Sequence, residues 1–274
     1  MATTTNTPAR RALLPVRTAE IRAFIALCQR DLWVTFRRDF VSFLAQALLQ
    51  PLFYLFIFGR VLPEIGAAQG AYGTLLLPGI LALTLVLTAL QNTSLPLVIE
   101  FSFSMEIEDR LLAPLPAWAV AMQKVVIAAM RGVVAAILIL PIAALVLPGG
   151  IDLGGADWLG FVFVVAGGAT VGAAMGLVLG TSVPPNRISV VFAIVLTPLL
   201  FTGATFYPWA ALSGLEWFQI ITLFNPLTYV SEGMRAVIVG GPHLATQWII
   251  LGLAGSTVFF TVLGGRLFTR RAID

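Results

Sequence analysis

The chain has 274 residues, 59% of them hydrophobic and only 11% charged, with a mean hydropathy of +0.96. That balance excludes a soluble enzyme and describes an integral membrane protein: at roughly 20 apolar residues per span there is room for about six helices with modest loops. One cysteine, Cys28, and one histidine, His243, exclude an intramolecular disulfide and a Cys/His metal cluster, and the pI near 9.5 reflects arginines placed by membrane topology, with no call for nucleic acid.

Residues 1–18 are rich in Thr and Arg and lack the apolar run of a signal peptide, so they read as a retained, disordered cytoplasmic tail. From Ala19 to Arg38, the residues Ile21, Phe24, Ile25, Cys28, Leu32 and Phe36 recur at helical spacing, with Arg30, Asp31, Arg37 and Arg38 largely opposite them. This predicts an amphipathic helix over 19–38. Seven arginines before Asp39, with Trp33 as an anchor, suit a helix lying in the cytoplasmic interface; a basic leader to the first span is the alternative.

The first span is predicted from Phe40 to Phe58, with Gln46 and Gln50 one turn apart before Pro51. Amides in hydrocarbon bond a neighbouring helix or contact a transported molecule. Arg60, Pro63, Glu64, Gly66 and Gly70 mark an external loop. Span two, Gly73 to Val98, ends in the polar run Gln91, Asn92, Thr93, Ser94 followed by Pro96. The next stretch, EFSFSMEIEDRLLAPLP, carries Glu100, Glu106, Glu108, Asp109 and Arg110, too dense a charge for a bilayer. It predicts a short helix stopped by Pro114 and Pro116, acidic on one face and ridged by Ile107, Leu111 and Leu112. Such a helix is either a solvated connector or a plug for a cytosolic partner.

Span three, Val120 to Leu147, begins at Lys124 on the cytoplasmic side and holds Arg131 two turns further in, where a charge faces the protein interior, pairs or snorkels. After a Gly- and Asp-rich external turn, span four, Trp158 to Gly180, repeats glycine every four residues at Gly168, Gly172, Gly176 and Gly180, a ridge for close helix packing. The turn SVPPNR leads to span five, Ile188 to Tyr207. The apolar segment 208–241 could be a seventh span, but six spans leave thirteen of the sixteen basic residues inside, with Arg60 and Arg235 outside and Arg131 within a span. A seventh would send the RRAID tail outside. Leu215 to Val239 is therefore predicted as a re-entrant pair of half-helices broken at Asn225 and Pro226, and span six as Thr246 to Gly265. The predicted fold class is all-α integral membrane. Six transmembrane helices make up a membrane domain over 39–266, with a cytosolic loop helix in 99–117, a re-entrant segment at 208–241 and a cytoplasmic tail at 267–274.

The sole lysine, Lys124 in AMQKVV, has no Walker-type glycines around it, so the chain offers no ATP-hydrolysing loop. No Ser/His or Asp/Asp pair falls at membrane depth as an intramembrane protease would need. The acids sit at span ends, in loops or in the re-entrant piece, a weak pattern for an ion-coupled carrier.

The interface helix, the six spans, the loop EDRLLAPLP and the segment FYPWAALSGLEWFQIITLFNPLTYVSEGMRAVIVGG follow one another in an order that resembles the membrane subunits of type-2 ABC export permeases, over nearly the whole chain. The most specific part is NPLTYVSEGMR, Asn225 to Arg235, with Phe206, Tyr207 and Pro208. The loop departs by carrying Met105 and Glu106 where many members have Gly-Thr, while Leu111, Leu112 and Pro114 fall in the family's places.

The resemblance implies a multi-pass permease of the bacterial inner (plasma) membrane with both termini cytoplasmic and without catalytic residues, metal or cofactor of its own. It implies a second permease copy, as homodimer or heterodimer, and two ABC ATPase subunits carrying ATP and Mg. Glu106, Glu108, Asp109, Arg110, Leu111, Leu112 and Pro114 would couple to the ATPase, and Asn225, Pro226, Tyr229, Glu232 and Arg235 would form the re-entrant gate. Phe43, Gln46, Gln50, Phe53, Gln91, Asn92, Phe201 and Thr202 are candidates for lining the substrate path, or are plain helix packing. The expected cargo is an amphipathic drug, lipid or lipid-linked compound; the alternatives are a polysaccharide or glycolipid exporter, a stand-alone ion-coupled carrier and a non-transporting membrane anchor.

Overall fold

The computed structural model describes residues 16–66, 72–102, 107, 110, 115–147 and 154–273, and among them all regular structure is helical. Helix α1 spans Val16–Arg37, α2 Phe40–Phe56, α3 Tyr72–Ser102, α4 Ala117–Val146, α5 Trp158–Ser182, α6 Ile188–Thr202, α7 Glu216–Thr222, α8 Pro226–Ile238 and α9 Thr246–Ile273. Among the described residues six helical stretches are long and apolar enough to cross a membrane, and they contain α2 to α6 and α9. The 216–238 stretch is no seventh span, because Asn225 and Pro226 start a new helix: the Asn225 side chain accepts from the Leu227 N–H, and Pro226 occupies the first turn, where a missing N–H costs nothing.

Three predicted boundaries move. Arg60, Pro63 and Glu64 are not in a loop, because α2 continues through a π-helical turn, Ile57–Val61, into Leu62–Glu64. The wider turn carries the helix up to Pro63, and Arg60 faces Glu64 at 3.8 Å on its exposed end. Span five stops at Thr202 and not Tyr207, since Ala204 takes a positive φ of 50° and Thr205 crosses Gly79 so closely that a Cβ there would lie 1.8 Å from the Thr205 carbonyl oxygen. Span six runs on past Gly265 to Ile273, because Phe268 is fully buried and Arg271 donates to the Gly180 and Thr181 carbonyls at the end of α5.

Helix α3 is the centre of the molecule, with 83% of its apolar window buried, against 11% for the span containing α6. The glycine ridge of α5 lies on it in a matched four-residue register. A Cβ on Gly172 would meet the Val86 carbonyl at 2.6 Å, one on Gly176 the Leu90 carbonyl at 2.3 Å, and one on Gly180 the Ser94 carbonyl at 2.9 Å. Numbers rise together along both helices, so α3 and α5 run parallel. Helix α9 follows the same direction, from Leu253 over Gly167 to Arg271 at Gly180. Consequently the ends of α3, α5 and α9 share one side of the molecule, and α1 and Arg110 join them there through the contacts below. The end of α2, the start of α3 and the end of α4 meet on the other side, where the Leu147 side chain would block a Cβ on Gly59 or Gly73.

Candidate functional site

Helix α1 turns two polar side chains inward among the half-buried Phe24, Leu27, Leu32 and Val34. Trp33 is exposed with Arg37 stacked over its ring at 4.4 Å, whereas Asp31 and Thr35, one turn apart, point into the protein. The expectation that Asp31 lies on the solvent side with the arginines is thus corrected. Its carboxylate takes a two-pronged contact from Arg110, Nη1 to Oδ2 and Nη2 to Oδ1, both 3.1 Å, and a third bond from Gln123 Nε2 at 3.0 Å. A planar guanidinium matched to a carboxylate is the strong form of a charge-assisted hydrogen bond. Burial pushes the Asp31 carboxyl up, but the hydrogen bonds from Arg110 and Gln123 and the charges of Arg110 and Lys124 outweigh it and hold the group below the usual carboxylate range.

Arg110 belongs to the charged loop; it and Ile107 have helical backbone, and both are buried. Beside it, Lys124 of α4 pairs with Glu100 of α3, and Arg110 Nη2 lies 4.0 Å from the same Glu100 oxygen. Helix α3 is 31 residues long, about 46 Å at 1.5 Å per residue, so its last turn, which carries Glu100, outruns a hydrocarbon core of roughly 30 Å. Arg131, two turns further along α4, points into the protein: it donates to Asn92 Oδ1 at 3.2 Å and to Thr35 Oγ1. Asn92 and Pro96 of α3, Arg30 and Asp39 share with these groups the wall of a cavity of about 300 Å³. Four pieces of chain that the sequence separates, α1, α3, the loop and α4, are therefore held by one polar cluster.

At the opposite end, Glu232 and Arg235 of α8 are fully buried and paired. Glu232 accepts from the Trp209 N–H at 3.0 Å with one oxygen and from the Leu244 N–H at 2.7 Å with the other, while Arg235 donates to the Ala204 carbonyl at 3.3 Å. Asn225 Nδ2 reaches the Leu199 carbonyl at 2.8 Å and Thr202 Oγ1 at 2.9 Å; Tyr229 donates to the Leu223 carbonyl at 2.7 Å. These side chains satisfy the backbone that irregular segments leave open.

The sequence pattern of the ABC-2 type transporter family matches residues 22–239, which include Asp31, Arg110, Glu232 and Arg235. The chain belongs to the ABC-2 type transporter family. It is similar to the inner membrane transport permease YadH of Escherichia coli K12, 25% identical over 218 residues that cover 77% of this chain and 82% of that one. It is also similar to the putative transport permease ycf38 of Cyanophora paradoxa, 27% identical over 255 residues, or 85% and 81% of the two chains.

In this ABC-2 type chain the predicted site residues fall into separate places. Of the loop set, Arg110 sits in the polar cluster, and Glu106, Glu108, Asp109, Leu111, Leu112 and Pro114 lie outside the described residues. Gln46, Gln50 and Gln91 come together around a cavity of about 20 Å³ between α2 and α3, room for a single water, and Gln50 donates to the Tyr54 hydroxyl at 3.1 Å. Phe43 is buried beside Ala47 and Ala135, Phe53 and Phe201 are exposed, Asn92 is engaged by Arg131, and Thr202 by Asn225. Pro226 and Tyr229 lie with Asn225, Glu232 and Arg235 as expected from their spacing along α8. Sequence reasoning missed Asp31, Thr35, Glu100, Gln123 and Lys124 as a group. The readable signal is polar residues one turn apart on α1 and the pair Gln123–Lys124 followed by Arg131 two turns on.

Proposed function

We propose that this chain is the membrane-spanning permease of an ATP-driven exporter of a bacterial plasma membrane, working with a second copy and with two separate ATPase subunits that carry ATP and Mg. Family membership and six membrane-crossing helices support the transport role. The contact that carries the coupling reading is the Arg110 fork on Asp31, because a loop so fastened cannot shift without moving α1. In this reading Glu106, Glu108, Asp109, Leu111, Leu112 and Pro114 occupy a cleft of the ATPase. Its closure on ATP moves the loop as a rigid body, and Arg110 passes the displacement to α1 and, with Lys124 and Glu100, to α3 and α4.

The side holding Arg110 and the end of α9 faces the cytosol, as the arginine-rich ends require. The cargo is an amphipathic drug, lipid or lipid-linked compound passing between two copies near α2, α3 and α6, with Gln46, Gln50 and Gln91 and the exposed rings of Phe53 and Phe201 supplying few polar contacts and many apolar ones.

The test is purification of the tagged chain from its native membrane in mild detergent, followed by transport of a labelled lipid into inside-out vesicles. A nucleotide-hydrolysing subunit is expected to accompany the wild type and to be lost from the Glu108→Lys, Leu111→Asp variant. Arg110→Ala is expected to retain the ATPase but to lose ATP-driven movement. Recovery of no ATPase, with movement driven by a proton or sodium gradient alone, would replace this reading with that of a secondary carrier.

A further inference from the structure

Arg131 stands in the middle of a run of hydrogen bonds that begins where Arg110 grips Asp31. Through Asp31 itself the run passes to Thr35, whose hydroxyl donates to the Asp31 carbonyl at 2.8 Å and accepts from Arg131. Arg131 donates in turn to Asn92 Oδ1 at 3.2 Å, and Asn92 Nδ2 donates to the Thr88 carbonyl at 2.9 Å. Thr88 and Gln91, the chain neighbour of Asn92, stand in the wall of the small cavity that also holds Gln46 and Gln50. The sense of each bond is forced. A guanidinium only donates, so Asn92 must present its oxygen to Arg131 and its amide N–H to Thr88, and the single hydroxyl proton of Thr35 goes to Asp31.

A second route from the loop reaches α3 at Glu100, but it enters in the last turn of that helix. Pro96 lies between Glu100 and Asn92, and a proline inside a helix has no N–H for the carbonyl four residues back, here that of Asn92. A helix bends where that bond is missing, so a displacement of Glu100 is taken up at Pro96, and Asn92 lies beyond the bend. One turn along α4 from Arg131, Ala135 packs beside Phe43 and Ala47 of α2. Apolar contacts of that kind are non-directional and can slide, whereas a guanidinium bonded on both sides fixes distance and angle.

Resting on the exporter reading above, we propose that Arg131 is a positioning residue that carries the movement of α1 past the Pro96 bend to the deep part of α3, and so sets the opening of the cavity between Gln46, Gln50 and Gln91. It acts through Asn92 and not on the cargo. A shift of α1 displaces Thr35, Arg131 follows and draws Asn92 with it, and Gln91 on the same turn of α3 moves against α2.

The experiment uses the full-length chain purified with its ATPase subunits, in a reporter protein where Cys28→Ser removes the native thiol and Thr84→Cys places one in the cavity wall. Two readouts bracket Arg131: hydrogen exchange of the α1 amides on the near side, and the rate at which a small thiol reagent labels the Thr84→Cys position on the far side. A slowly hydrolysed ATP analogue with Mg should change both in the reporter protein, the labelling rate by roughly fivefold or more, the lower end of the usual coupling between sites. In Arg131→Met the α1 response should remain and the labelling response vanish. Asn92→Ala cuts the run on the far side of Arg131 and should do the same, which keeps the test decisive if the Arg131 variant does not fold. A labelling response undiminished in both variants, or absent from the reporter protein while α1 responds, would overturn the proposal and leave the exporter reading intact. Loss of the α1 response together with the labelling response in both variants would also overturn it, by making these residues general packing. Silence of both readouts in the reporter protein, or purification without any ATPase, would instead sink the exporter reading and this proposal with it.

Discussion

Removing Arg110 tests whether the loop and α1 move as one. The Arg110 and Asp31 side chains are 4% and 12% exposed, and two N–O contacts of 3.1 Å join them. Deleting one partner of a buried pair costs about 3–5 kcal/mol, because the other charge stays buried without its counterion. Asp31 keeps Gln123 and some access to water, which places Arg110→Ala at the lower end, about 3 kcal/mol. At about 1.4 kcal/mol per tenfold, local opening of α1 then becomes more than about 100-fold easier. The assay is hydrogen exchange of the α1 amides in detergent, for Arg110→Ala, Asp31→Ala and the double variant. The double variant should cost well under the sum of the singles, since it leaves neither charge stranded. Single effects that add within about 0.5 kcal/mol would mean the two residues are not coupled, and the transmission argument would fall with them.

Three further outcomes follow from the same structure. Gly176→Ala forces a Cβ to within 2.3 Å of the Leu90 carbonyl, so the thermal midpoint should fall by the equivalent of about 1–3 kcal/mol. Gly255→Ala, with nothing within 4 Å, should leave it level or raise it, and equal midpoints for the two would contradict the α3–α5 register. Glu232→Gln keeps the shape of the side chain but leaves Arg235 buried without its counterion; a loss of about 3 kcal/mol and a lower folded yield are expected, and an unchanged midpoint would show the pair to be dispensable. Because the folded-state pKa of Asp31 is depressed, its stabilisation of α1 is complete above the ordinary carboxylate value of 3.8 and is lost as pH falls through the lower folded value. Protection of α1 amides should therefore hold from pH 7 down to about 4 and drop below it, a drop that Asp31→Asn removes.

The spans were legible because lipid removes the ambiguity that tertiary packing gives soluble helices: any stretch of about 20 apolar residues must be a helix. The glycine ridge and the Asn225–Pro226 break were legible for equally local reasons, a four-residue period and a cap followed by proline. The polar cluster was not, since Asp31 and Arg110 are 79 residues apart and each has a plain local reading, one as a charge on an interface helix and the other as part of a soluble loop. Arg131 shows the same limit: its position inside a span announced a charge that faces inward, pairs or snorkels, but not that Asn92 and Thr35 receive it. Helix ends slipped wherever the stop was made by tertiary contact, as at Thr205 on Gly79 and Arg271 on the end of α5.

The two polar clusters differ in construction, and the difference bears on what each end of the molecule can do. At the α8 end the acid is held by backbone N–H groups of two separate segments, at Trp209 and Leu244, as well as by Arg235, so releasing Glu232 would undo chain geometry and not merely a rotamer. At the loop end the pairs run from side chain to side chain, among Asp31, Arg110, Gln123, Glu100 and Lys124, beside a cavity of about 300 Å³. Arg110 stands 4.0 Å from Glu100 while bound to Asp31, so the loop is tied to α1 and to α3 through the same guanidinium. A permease that must change shape needs one end that holds while the other moves as a body. The fork tests this division: Arg110→Lys, which keeps the charge but loses the planar two-pronged contact, should leave the protein folded and weaken transport, while transport at the wild-type rate would show that the movement does not pass through this contact.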